Sequence, residues 1–187
     1  APDGLSVVSG FDEGYPEQYP VSSYGYGTSG LVNREILVSS ESKVKYKIPT
    51  DDSLGQSWLS AFPDFDDSTW TEVDHPVGFE SNGGTLEPLI KTNISADMKG
   101  VNASGYFRFP FNFNATDRRI VSAQLAVSID DGYVAYLNGD KVSELNVPIP
   151  VLFDSRATAS RLDRLVVAAP EIKDVSSKAG VIKEGAN

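Results

Sequence analysis

The stretch Ser128-Ile129-Asp130-Asp131-Gly132-Tyr133-Val134-Ala135-Tyr136-Leu137-Asn138-Gly139 decides the fold. Tyr133–Leu137 is apolar on both faces, as expected of a central strand, because successive side chains of a strand point to opposite faces. Asn138-Gly139 then supplies two residues that tolerate positive φ, which a tight hairpin needs if its twist is to match its strands. The chain is expected to return through Lys141–Leu145. Ahead of the strand, Asp130-Asp131-Gly132 reads as a turn, since short carboxylate side chains accept bonds from nearby backbone N–H groups.

The flanking segments carry the same period of two. In 119–129, Val121, Ala123, Leu125, Val127 and Ile129 point one way and Ser122, Gln124 and Ser128 the other, the pattern of a half-buried antiparallel strand. In 106–113, Phe107, Phe109, Phe111 and Phe113 share a face. Pro110 cannot donate a ladder bond, so that strand is expected to be bulged or partly at an edge. In 42–48, Lys43, Lys45 and Lys47 alternate with Val44, Tyr46 and Ile48. A lysine-bearing face discourages edge-to-edge pairing and places this strand at a sheet edge. Leu165–Ala169 is a further strand candidate. Between Asp51 and Gly84 the chain reads as loops anchored by Trp58 and Trp70, with Asp66-Asp67-Ser68 capping a single helical turn into Trp70. The expected class is therefore all-β, an antiparallel β-sandwich over residues 35–187. Residues 1–34, rich in Gly, Tyr and Ser and without periodicity, read as an extended arm or linker.

Composition agrees with a folded chain: 40% of the 187 residues are hydrophobic and 22% charged. The formal net charge of −10 repels phosphate backbones and anionic lipid, which argues against nucleic acid as a partner. Arg118-Arg119 and the scatter Arg156, Arg161 and Arg164 read as solvated loop charges. With no cysteine, neither a disulfide framework nor a thiolate metal site is available. No apolar stretch is long enough for a membrane helix. The start Ala1-Pro2-Asp3-Gly4 suits an already processed, secreted or cell-surface chain. Sequons begin at Asn93, Asn102 and Asn114. They are acceptors for glycan in a secreted eukaryotic protein, or chance tripeptides in an Asn/Ser-rich chain.

Taken together, the quoted stretch resembles the strand–turn–strand–hairpin signature of galactose-binding-like (jelly-roll) β-sandwiches. Trp58, Phe65-Asp66-Asp67-Ser68-Thr69-Trp70, Pro76-Val77-Gly78-Phe79 and Gly105-Tyr106-Phe107-Arg108 occur in the order such domains show. The chain is similar to accessory domains of large secreted bacterial proteins and to the sugar-binding-like domain of β-galactosidase-type glycosidases. Its Asp-Asp-Gly turn resembles that of PA14-type domains. The resemblance implies that a segment such as Ile182–Asn187 runs into a final apolar strand, so the sandwich is expected to lack its last strand within this chain. Strand donation from a neighbouring chain, or from a further segment, would then complete it. The PA14-type likeness implies Ca²⁺ held by Asp130 and Asp131, against the plainer reading of both as turn formers.

Catalytic motifs are sparse. His75 is the sole histidine and no nucleophile-elbow pattern accompanies it, so a loop role is expected. Adjacent carboxylates at Asp51-Asp52, Asp66-Asp67 and Asp130-Asp131 read as turn formers or oxygen ligands for Ca²⁺ rather than a hydrolytic pair. For a bound sugar, the first candidates are Trp70, Tyr133 and Asn146, residues that also have ordinary core and turn roles. The expectation is a non-catalytic extracellular module, binding carbohydrate or another extracellular protein. The alternatives are a structural subunit assembled by strand exchange or surface packing, and the ancillary domain of a secreted glycosidase or other hydrolase.

Overall fold

A computed structural model of the chain describes residues 33–61, 64–80, 84–116 and 119–187. The arm assigned to 1–34 lies, apart from Asn33 and Arg34, outside the described residues, as does Arg118. The described chain is built mostly of strands. They are β1 (Lys43–Lys47), β2 (Thr71–Asp74), β3 (Val77–Gly78), β4 (Thr92–Asn93), β5 (Tyr106–Arg108) and β6 (Asn112–Phe113), followed by β7 (Gln124–Val127), β8 (Tyr133–Leu137), β9 (Asp140–Leu145), β10 (Glu171–Asp174) and β11 (Gly185–Ala186). Two short helices, α1 (Ser95–Met98) and α2 (Asp163–Ala168), and three 3₁₀ segments join them.

The largest sheet among the described residues has three strands in the order β2-β1-β5, both pairings antiparallel. β1 is thus the middle strand, not the edge strand its lysines suggested. The reason is local neutralisation. Lys43 lies opposite Asp74 across β2 and bonds it at 2.5 Å, while Lys45 reaches Asp67 at 2.6 Å. The apolar side of the alternation is as expected: Val44 is 0% exposed and Tyr46 8%. Tyr46 also stacks on Phe107 and donates its hydroxyl proton to the Asp97 carboxylate in α1.

Asp67 organises this sheet. Register places Lys45 directly opposite Arg108, a like-charge pair that opposes pairing on its own. Asp67 offers one carboxylate oxygen to Lys45 and the other to Arg108 Nε at 2.9 Å. The Arg108 guanidinium then donates to the carbonyls of Trp58 and Ser60 and lies 5.0 Å over the Phe65 ring. Burial works against ionisation of Asp67, but the bonds from Lys45 and Arg108 outweigh it and hold its carboxyl below the ordinary range. The expected single turn into Trp70 is present, with Asp66 as its cap: Asp66 accepts from Ser68 N–H, and Trp70 N–H bonds the Asp67 carbonyl. Asp67 is committed to cations and does not cap.

The expected strand 106–113 is cut in two at Pro110. β5 pairs with β1 and β6 pairs with β11, so the break passes the chain from one sheet to another. Residues 182–187 do more than lead toward a closing strand: Gly185–Ala186 is itself a strand, extended by reciprocal backbone bonds between Asn187 and Phe111. Of the expected strand 119–129 only Gln124–Val127 forms β7; the burial alternation is as expected, with Ala123, Leu125, Val127 and Ile129 half-buried and their neighbours exposed, while Val121 is 58% exposed. β7 pairs with β10. Leu165–Ala169 is not a strand: most of it lies in α2, with Val166 the buried residue. The adjacent Val166-Val167 pair carried the strand reading, but Leu162, Leu165, Val166 and Ala169 have the three-to-four spacing of a helical turn.

The hairpin forms as expected, with Asn138 at φ 48° and Gly139 at φ 92°, positive at both turn positions. Its register runs from Leu137↔Asp140 to Tyr133↔Leu145, with a bulge between Ala135 and Tyr136. β8 pairs with β9 alone among the described strands, so it is not a central strand there. The Asn138 amide bonds the Val181 carbonyl and the Asn187 side chain, tying the turn to the β11 segment. Elsewhere Asn102 spans two loops, its amide nitrogen bonding the carbonyls of Pro49 at 2.7 Å and Phe153 at 2.9 Å.

Removing the bridging carboxylate tests the central sheet. Asp67→Asn leaves Lys45 and Arg108 facing each other and is expected to cost about 2 kcal/mol in urea unfolding at pH 7. Because the folded pKa of Asp67 is depressed, this contribution is present above the unfolded value and fades as pH falls through the folded one. A cost that does not change down to strongly acidic pH would contradict the bridge.

Candidate functional site

The sequence-selected residues separate into two regions. Trp70 is 6% exposed and belongs to an aromatic cluster: 6.2 Å from Trp58, 6.4 Å from Tyr106 and edge-on to Phe65 at 5.8 Å. Trp58 stacks on Tyr106 at 4.2 Å and meets Tyr136 of β8 edge-on. Buried this way, Trp70 presents no open ring face on which a sugar could stack. It is an anchor of the core.

Tyr133 and Asn146 flank the other region. Tyr133 is half-buried at the start of β8 with its hydroxyl 2.8 Å from Ser143 Oγ. Asn146 follows β9 in the left-handed conformation, φ 51°, and its amide nitrogen bonds the carbonyls of Asp131 at 2.7 Å and Ala159 at 3.2 Å. Both donors face protein, and Oδ1 is left as an acceptor. Gly132 permits the close approach: a Cβ there would meet the Leu145 carbonyl oxygen at 2.8 Å and the Asn146 carbonyl oxygen at 3.1 Å.

Beside Asn146 lies an open cleft of ≈ 430 Å³ lined by Leu145, Asn146, Ser160, Arg161, Pro170 and Glu171. Arg161 is positioned by Asp131, whose carboxylate accepts the Arg161 backbone N–H at 2.9 Å. Glu171, at the start of β10, bonds Lys173 at 2.5 Å and Arg161 at 3.4 Å. The Lys173 hydrogen bond, with the charges of Lys173 and Arg161, holds the Glu171 carboxyl below its ordinary range, while the same bond raises Lys173. Glu171 is therefore an acceptor at neutral pH and is poorly suited to deliver a proton. Arg161, Ser160, Glu171 and Lys173 were not singled out from sequence as a group. They converge only through the β7–β10 register and the Asp131–Arg161 bond, neither of which has a local sequence signal.

Asp131 sits at φ 65° with one carboxylate oxygen engaged by Arg161 N–H. Desolvation, then the charges of Asp131, Asp163 and Glu80, push the Asp130 carboxyl above its ordinary range. Among the described residues no group of three or more His, Asp or Glu side chains is placed to hold a metal. Asp130 and Asp131 alone supply part of the oxygen cage that Ca²⁺ takes.

His75 lies apart from the cleft, its ring edge-on to Phe109 at 5.3 Å. Its Nδ1 is buried without a hydrogen-bond partner. Burial, with a smaller effect of Lys91, lowers its pKa from the ordinary 6.5. No helix among the described residues is long and apolar enough to cross a membrane. No family model, curated protein or solved structure matches this chain.

Two measurements follow. His75 is neutral in the fold, so its contribution is complete above pH 6.5 and is lost as pH falls from there through its lower folded value. Urea midpoints should drop between pH 7.5 and 5.5 in the wild type and drop less in His75→Phe; equal drops would remove His75 as the cause. Gly132→Ala should cost about 1–3 kcal/mol by forcing the Leu145–Asn146 backbone away. An unchanged melting temperature would show that this approach is slack.

Proposed function

We propose that this chain is a non-catalytic, extracellular carbohydrate-binding module and that the cleft beside Asn146 is its binding site. The observation that carries the reading is the mixed lining of that cleft. The polar residues Asn146, Ser160 and Arg161 stand beside apolar Leu145 and Pro170 in that lining. Sugars need this mixture, with apolar surface for their C–H faces and a few placed polar groups for their hydroxyls. The depressed pKa of Glu171 supports binding over acid catalysis. The reading includes a galactose-binding-like jelly roll as the architecture, supported by the order of the sequence motifs and by the antiparallel hairpin. It also includes Ca²⁺ at Asp130 and Asp131 as an aid to binding, supported by the charges of Asp131, Asp163 and Glu80 that act together on the Asp130 carboxyl.

A glycan array run with and without EDTA tests this. Binding to defined glycans is expected, weakened roughly tenfold or more by Asn146→Ala or Ser160→Ala in folded protein. Loss with EDTA would assign the calcium role, and binding indifferent to EDTA would remove it. Absence of binding across the array would overturn the module reading.

A second reading, assembly through surface packing, is favoured by the apolar side chains on and beside α2 and β10. Leu162 is 57% exposed, Leu165 48%, Val167 46% and Ile172 54%. Native mass measurement separates the two: concentration-dependent oligomers abolished by Leu165→Glu favour assembly, and a monomer at all concentrations excludes it.

A further inference from the structure

Resting on the carbohydrate reading, we infer that the cleft selects a saccharide bearing a carboxylate and that Arg161 is the residue that reads it. The Arg161 side chain is only 15% exposed, yet among the described residues its guanidinium makes a single contact, Nη1 to Glu171 at 3.4 Å. A guanidinium has five N–H donors in a planar fork, and a contact of that length satisfies one of them poorly. The backbone bond to Asp131 holds the Arg161 main chain beside the cleft, of which Arg161 is a lining residue. A cation this enclosed and this sparsely bonded is prepared for an incoming oxyanion.

Glu171 does not occupy that role well. Its other oxygen is held by Lys173 at 2.5 Å, so it remains neutralised when Arg161 turns to a ligand. The exchange replaces one long contact by two short, parallel, charge-assisted bonds, the arrangement an Arg–carboxylate pair favours. Asn146 Oδ1 and the Ser160 hydroxyl have no protein hydrogen bond among the described residues and are left for sugar hydroxyls. Leu145 and Pro170 provide the apolar wall. The whole-chain charge of −10 opposes dense polyanions, so an isolated uronate in an otherwise neutral glycan is the preferred form.

Calorimetric titration of the intact chain tests this with a glucuronate-ended trisaccharide, its methyl ester, the matching neutral glucose-ended trisaccharide, and acetate and inorganic phosphate. The uronate is expected to bind roughly tenfold or more tighter than its ester or the neutral glycan. Arg161→Gln should erase that preference while keeping the weaker neutral binding. The ester comparison needs no variant, so it stands even if Arg161→Gln fails to fold. Equal binding of uronate, ester and neutral glycan would overturn the role of Arg161 and leave the module reading intact. Acetate or phosphate competing as well as the uronate would reduce the site to a general oxyanion site and overturn saccharide selection. Binding of none of the three glycans would overturn the carbohydrate reading itself.

Discussion

One carboxylate reconciles the strands of the main sheet. The pairing of β1 with β5 sets Lys45 against Arg108, and Asp67 stands between them with an oxygen for each. Without that arrangement the register that buries Val44 and Tyr46 would also join two like charges. Through Arg108 the same carboxylate extends its hold to the Trp58–Ser60 backbone and so to the aromatic cluster. Hydrophobic burial and charge placement are therefore a single problem here, solved by a residue that belongs to neither strand.

The cleft depends on an equally indirect arrangement. Asn146 and Arg161 are fifteen positions apart in the chain, yet both bond Asp131, one to its carbonyl and the other to its carboxylate. The turn ahead of the hairpin thus places the Asn146 acceptor and the Arg161 cation together. Gly132 allows the backbones to come close enough for this. A change in the turn reaches the cleft through two routes at once.

Local chemistry was the legible part of this fold. Asn138-Gly139 fixes its turn through the φ values those residues tolerate, and the alternation in β1 and β7 reports which faces are buried. What the sequence concealed was pairing. The lysines of β1 read as an edge because their acidic partners lie on β2 and in the turn before it, out of view of any short window. Pro110 signalled irregularity in 106–113 but not that the two halves would join different sheets. Val166-Val167 favoured a strand by composition and sits in a helix by spacing. At the candidate cleft, Asn146 was singled out by sequence and is a lining residue, Tyr133 was singled out and is not, and Arg161 looked like any surface arginine until Asp131 and β10 were placed around it.

The bridging amide of Asn102 has a further consequence for the life of the polypeptide in a cell. Asn102 opens a sequon, but its nitrogen already bonds two carbonyls that join distant loops. An oligosaccharyltransferase needs that nitrogen free, so if the sequon were used, folding and glycan attachment at this position would compete for one atom. In a secretory pathway that modifies nascent chains, early attachment would sever the strut and prompt folding would hide the acceptor. Exposed Asn93 imposes no such choice, since its side chain engages the Ser95 backbone through oxygen alone. Heterogeneous sugar occupancy at Asn102 would then record how fast each molecule closed, a maturation clock written in mass.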